Sequence, residues 1–122
     1  MTQAPQAGAP PQALADRRCV ACDGGTAPLL RAECERLLAT LAPGWRLAAD
    51  GRSLHHDFKF RDFQRAISFA NCVAHVAELE DHHPDLALGY GYVHLTYTTH
   101  AIKGLSENDF ICAAKIDRIP LA

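Results

Sequence analysis

Apolar residues recur along this chain with two different periods, and the switches between those periods outline a domain. Leu30, Cys34, Leu37, Leu38 and Leu41 return at helical spacing, so a first helix is expected over Leu29 to Leu41, opened by Pro28 and closed by Pro43-Gly44. A short strand should follow from Trp45 to Ala49. Asp50-Gly51 is a hairpin turn signal. The return strand, about Arg52 to Phe60, sets Leu54, His56, Phe58 and Phe60 on one face. Phe63, Ala66, Ile67, Ala70, Val73, Ala74 and Ala77 then form the apolar stripe of a second helix, Asp62 to Glu80, which Pro84 stops.

Leu86 to Tyr90 and Tyr92 to Thr99 read as two strands around a turn near Gly91, the second rich in the Val, Thr and Tyr that strands favour. Ser106-Glu107-Asn108-Asp109 resembles a capping box, with Asp in the place of Glu or Gln, and should open a last helix. The order helix, hairpin, helix, hairpin, helix predicts an α+β fold: a four-stranded antiparallel sheet with three helices packed on one face. Residues 1–27, rich in Ala, Pro, Gln and Gly, are expected to be a flexible tail and loop, and 28–122 the domain.

Composition narrows the function. A chain of 122 residues holds one domain. The formal net charge of -2 offers no basic excess for a phosphate backbone, so no nucleic-acid partner is expected. No apolar run approaches the roughly 18 residues of a membrane span, and Met1 to Ala13 lack the layout of a secretory signal. A cytoplasmic protein without membrane contact is expected. The five cysteines are an odd number, and reduced thiols follow from that setting. Cys19-x-x-Cys22 has no second pair to complete a zinc ribbon and reads as two loop thiols.

Seven histidines stand out more than any other residue type. His82 and His83 leave the end of the second helix, and His100 leaves the end of the last strand. Gly91 lies nine and eight residues beyond the pair and nine before His100, so an antiparallel hairpin folds the three back together at one sheet edge. Asp81, Thr98 and Thr99 fall beside them. Clustered imidazoles provide both an acid and a base near neutral pH, because each perturbs its neighbours. Such a cluster can also be a solvated surface feature or a zinc site, although spacings such as His-Glu-x-x-His are missing. His55 and His56 are an equally conspicuous pair, but in a strand their side chains face opposite ways and cannot converge. His75 falls mid-helix and His94 mid-strand.

Glu78-Leu-Glu-Asp-His82-His83-Pro84, Val93-His-Leu-Thr, Thr99-His100 and Gly104-Leu105-Ser106-Glu-Asn-Asp109 together resemble the pterin-4a-carbinolamine dehydratase family in order and spacing. Gly44-Trp45 and Phe58-Lys-Phe60-Arg-Asp-Phe63 are also similar to it, so the resemblance runs from about Pro28 to Ile119. It implies elimination of water from a 4a-hydroxytetrahydropterin to give quinonoid dihydropterin, in tetrahydrobiopterin recycling, with no cofactor and no metal. It further implies catalytic roles for His82, His83 and His100, a pterin-binding or positioning role for Asp109 and Glu78, and a homodimer or homotetramer. Some members of the family act instead as non-enzymatic dimerisation or accessory partners of a hydroxylase or transcription factor. The sequence departs from animal members in carrying Leu86 two places after Pro84, and the Cys19-x-x-Cys22 segment precedes the shared region.

Overall fold

Leu54 and Phe58 from one strand, and Val93, Leu95 and Tyr97 from the next, are buried on the same sheet face, and all the helices pack there. The computed structural model describes residues 12–121. Its regular elements are α1 (Arg31–Leu38), β1 (Arg46–Leu47), β2 (Leu54–Lys59), α2 (Phe63–Glu80), β3 (Asp85–Gly89), β4 (Tyr92–Tyr97) and α3 (Glu107–Asp117). The four strands form one antiparallel sheet in the order β1-β2-β4-β3. The expected α+β architecture is the observed one.

Register explains the two-sidedness. Leu54, His56 and Phe58 lie opposite Tyr97, Leu95 and Val93, while His55, Asp57 and Lys59 lie opposite Thr96, His94 and Tyr92. The first set meets Cys34 and Leu37 of α1, Phe69 and Val73 of α2, and Phe110 and Ile116 of α3. Burying a side chain such as Leu54 or Phe110 is worth about 1.5–3 kcal/mol, so this one cluster supplies much of the driving force for folding. The second set faces outward. His55 and His56 therefore do point to opposite faces. His55 bonds Ser53 and Thr96 on the outside. The His56 ring stacks on Phe58 at 3.7 Å and meets the edge of Trp45 at 4.9 Å.

Element ends differ from the periodic reading where local hydrogen bonding takes over. The first helix stops at Leu38 rather than Leu41, because Thr40 and Leu41 donate to carbonyls three residues back and tighten the chain into a turn. The first strand shrinks to two residues, and the second begins at Leu54, since Ala48 to Ser53 are spent on the turn. The last strand ends at Tyr97, and Thr99 makes an isolated bridge to Gly104. On α2 the expected stripe is buried at Ala66, Ala70, Val73 and Ala77, but Phe63 and Ala74 are exposed, and Phe69, outside the expected stripe, is buried against Phe58 and Phe60. Asp62 caps this helix by accepting from the Arg65 amide.

Residues 1–11 of the expected tail lie outside the described residues. Residues 12–27 hold one 3-10 turn, Leu14–Asp16, and otherwise no regular structure. They run along α2 and α3, tied by polar contacts: Arg118 to Asp16 at 2.8 Å, Arg17 to Glu107 at 3.1 Å and Lys115 Nζ to the Ala15 carbonyl at 2.9 Å. At the end of α3, Asp117 accepts from Trp45 Nε1 at 2.8 Å and from the Ala42 amide at 2.9 Å, joining the loop after α1 to the last helix.

Gly44 is the tightest point of that loop. Its φ is +110°, and a Cβ there would sit 2.5 Å from His56 Nε2, a ring wedged between Trp45 and Phe58. Gly44→Ala should cost more than about 1 kcal/mol, since both the backbone region and the space are closed to a side chain. Urea unfolding of the two proteins, read as a shift in midpoint at unchanged slope, checks this.

Candidate active site

Two backbone reversals bring the site together. Asp81 ends α2 in the left-handed region, at φ 50°, ψ 44°, and the His82 amide donates back to the Ala77 carbonyl at 3.1 Å. Helix-end geometry of this kind turns the chain sharply, and Pro84 then forbids further helix. At the other reversal His100–Ile102 form a 3-10 turn ended by Lys103, also left-handed at φ 54°. Asp81 and Lys103 are the two non-glycine residues with positive φ among the described residues, and they flank the loops that carry His82, His83 and His100.

A cavity of about 340 Å³ lies between these loops. Asp81, His82, His83, Thr98, Thr99 and His100 line it, together with Val20, Ala21 and Cys22 from the segment before α1. Six of the eight residues singled out in the sequence therefore share one cavity. The remaining two stand behind it. Asp109, wholly buried, accepts from His82 Nε2 at 2.6 Å. Glu78 Oε2 lies 2.5 Å from His83 Nε2, on the surface side.

Asp109 is the best-connected side chain here. One carboxylate oxygen takes the His82 bond; the other accepts from the Ser106 amide at 2.9 Å and the Thr99 hydroxyl at 2.8 Å. A hydroxyl has one proton, so with the Thr99 proton given to Asp109, Ser106 Oγ donates to Thr99 Oγ1 across their 2.8 Å contact. The expected capping box is thus half formed. Asp109 caps the Ser106 amide, but the Ser106 hydroxyl turns to Thr99. The Thr98 hydroxyl is likewise occupied, donating to the Arg52 carbonyl at 2.6 Å.

His82 is nearly buried, and its ring stacks on Tyr97 at 5.4 Å. Burial alone would press its pKa down. The hydrogen bond and charge of Asp109, helped by Cys112 and Asp81, outweigh that and hold the imidazolium above its usual 6.5. Because Nε2–H is committed to Asp109, Nδ1 is the nitrogen left for exchange with a ligand. His83 and His100 are exposed, His56 is half-buried against Trp45 and Phe58 with its pKa lowered by burial, and His75 and His94 lie elsewhere on the surface. Among the described residues, no three His, Cys, Asp or Glu side chains are gathered as ligands for one metal ion. No helix among them is long and apolar enough to cross a membrane.

Periodic reasoning passed over Val20, Ala21, Cys22 and Asn108, which with Ala101 complete the cavity wall. Asn108 had a signal in the segment opening α3. The other three had only the Cys-x-x-Cys spacing. Cys22 lies on the wall, while Cys19 Sγ rests 3.6 Å from Cys112 Sγ with both thiols free.

The fold is a helix-backed antiparallel sheet with an imidazole–carboxylate pair beside a histidine-lined cavity. The sequence pattern of the family described as pterin 4 alpha carbinolamine dehydratase matches residues 27–119. The chain belongs to that family of hydro-lyases. Two relatives that carry the family's name, from Halorhodospira halophila and Nitrosomonas eutropha, are each 52% identical over 106 residues; the alignment covers 87% of this chain and 96% and 92% of theirs. A solved Brucella melitensis structure, described as a transcriptional coactivator/pterin dehydratase, matches with TM-score 0.70 and 33% identity over 74% of this chain and 95% of that one. A pterin dehydratase-like protein, described as a RuBisCO assembly factor in the alpha-carboxysome, matches with TM-score 0.53 and 25% identity, over 61% and 86%.

The His82–Asp109 pair carries a signed pH dependence. A histidine whose folded pKa is raised adds stability that is complete below about pH 6.5 and is lost as pH rises through the folded value. Asp109→Asn keeps an oxygen for Ser106 and Thr99 but turns an amide toward His82. Burial is then unopposed, and His82 should titrate lower than in the parent protein, as followed by its imidazole proton resonances from acid to alkaline pH.

Proposed function

We propose that this chain dehydrates 4a-hydroxytetrahydropterin to quinonoid dihydropterin in the recycling of tetrahydrobiopterin, by histidine acid–base catalysis. The observation that carries the reading is the buried His82–Asp109 pair opening onto a cavity that His83 and His100 share. The 4a-hydroxyl leaves as water once its oxygen receives a proton. The N5 lone pair forms the C4a=N5 bond, and N5–H gives up its proton. His82, kept charged by Asp109, supplies the proton from Nδ1. A neutral imidazole on the cavity wall, His83 or His100, takes the one from N5. Each transfer is worth about 10²- to 10⁴-fold. The elimination involves no net oxidation or reduction, so neither a nicotinamide nor a flavin is called for. Thr98, Thr99 and Asp81 shape the wall around the ring, and Glu78 orients His83.

Freshly generated 4a-hydroxytetrahydropterin gives the test. His82→Ala and His100→Ala should each lower turnover by about 10²-fold or more, and the double variant by less than the product, because the groups act as a unit. His55→Ala, on the outer sheet face, should leave turnover within about twofold. Equal damage from His55→Ala and His100→Ala in folded proteins would move the active site elsewhere. A folded wild-type protein without turnover would favour the accessory role suggested by the descriptions of the two structural neighbours.

A homodimer or homotetramer is part of the same proposal. β3 is a sheet edge whose five residues include one charge, Asp85, and an exposed Leu86, so little guards it against pairing with a second copy. Light scattering at micromolar concentration should give at least twice the 13.3 kDa of one chain.

A further inference from the structure

Residues 17–22 form a strap that has no periodic pattern of its own, yet its main chain is held at the Cys19 amide, the Val20 amide and the Val20 carbonyl. Asn108, on the first turn of α3, bonds both polar atoms of one strap residue: Val20 N donates to Oδ1 at 3.1 Å, and Nδ2 donates to the Val20 carbonyl at 2.5 Å. A buried Asn usually spends its amide on its own helix end or on neighbouring side chains; this one is 5% exposed and works as a two-point clamp on a segment 88 residues away. Glu80, at the end of α2, accepts from the Cys19 amide at 2.8 Å and pairs with Arg18 Nε at 3.1 Å. Cys19 Sγ touches the Asn108 carbonyl and Cys112 Sγ, each at 3.6 Å.

The two anchors belong to the two helices that carry the chemistry. Glu80 lies two residues before His82, and Asn108 one before Asp109. What they hold in place is the part of the cavity wall made by Val20, Ala21 and Cys22, which share the cavity with His82, His83 and His100. Val20 remains 70% exposed, so its side chain contributes little to the core.

We infer that the strap is a substrate-binding wall of the active site, with Val20 covering the bound pterin and Asn108 positioning the strap. The family's sequence match begins at residue 27, but the 106-residue alignments with the Halorhodospira and Nitrosomonas relatives reach back over the strap, so residues 17–22 lie within the part of the chain aligned with them. The inference rests on the proposed pterin substrate. In the proposed reaction the protons move through the histidines and none is routed through the strap. Its effect therefore falls on retention of the flat ring system, and hence on KM, leaving kcat to the histidines.

Two variants of the full chain test this, assayed with 4a-hydroxytetrahydropterin and, by calorimetric titration, with 7,8-dihydrobiopterin, which has no 4a-hydroxyl to lose. Val20→Asp alters an exposed side chain and should leave the melting temperature unchanged while raising KM about tenfold, with kcat within about twofold. Asn108→Ala frees the strap and should weaken dihydrobiopterin binding by a similar factor. Unchanged KM and unchanged binding in a folded, active Val20→Asp protein would overturn the inference. A fall in kcat at constant KM for Asn108→Ala would overturn it too, because Asn108 would then act through Asp109 instead of the strap. Absence of turnover and of pterin binding in the wild-type protein would instead refute the substrate on which the inference is built.

Discussion

The carboxylate of Asp109 is the constraint around which this structure is arranged. A fully buried carboxylate is expensive unless its lone pairs are met, and here three donors from three segments meet them: His82 after α2, Thr99 after β4 and the Ser106 amide at the start of α3. None of these segments is adjacent to another along the chain in the way a single turn would be. The cost of leaving the carboxylate unsatisfied thus acts as a register constraint, which closes the end of the hairpin onto the last helix. Ser106 extends the network by one hydroxyl, so that even the cap of α3 is recruited to the site instead of serving only its own helix.

The same constraint explains why the backbone is unusual here. Asp81 and Lys103 both adopt left-handed conformations that cost a non-glycine residue about 1 kcal/mol or more. The reversal at Asp81 swings His82 from the helix end back over Tyr97 and down to Asp109. The reversal at Lys103 lets Thr99 pair with Gly104 and leaves His100 on the cavity wall. The sheet provides a rigid base for both loops, since β4 is the central partner of β2 and β3 and its inward side chains are almost inaccessible.

How much of this was legible in the sequence depended on whether the information was periodic. The strands, the long helix and the convergence of His82, His83 and His100 follow from spacing alone, because an antiparallel hairpin converts equal distances from Gly91 into proximity. The contrast between His55 and His56 follows from the strand period of two. Asp109 and Glu78 were found through motifs of the family, and the structure places each behind a histidine. Helix and strand ends shifted where i to i+3 bonds or the Asp50-Gly51 turn claimed residues that the apolar pattern had assigned to an element. The stripe on α2 held at Ala66, Ala70, Val73 and Ala77 and failed at its start, where Phe63, at the first helical position, stays exposed, whereas Phe69 reaches Phe58. The segment 12–27 gave no signal of its packing, since it is held chiefly by its main chain, which every residue possesses, and by charged side chains that read as solvated.

In the proposed reaction the same buried carboxylate sets the direction of proton flow. While His82 is charged, Asp109 has a neutralising partner within hydrogen-bond distance in a site of low exposure. Once His82 has protonated the departing hydroxyl, Asp109 is a buried anion beside a neutral ring, a state that its three hydrogen bonds only partly compensate. Reprotonation of His82 is therefore favoured, and the proton removed from N5 supplies the balance. A stronger tie would hold the proton too firmly for transfer, and a weaker one would leave His82 uncharged by burial. The opposition between desolvation and Asp109 at His82 is what keeps the imidazole able both to give a proton and to recover one.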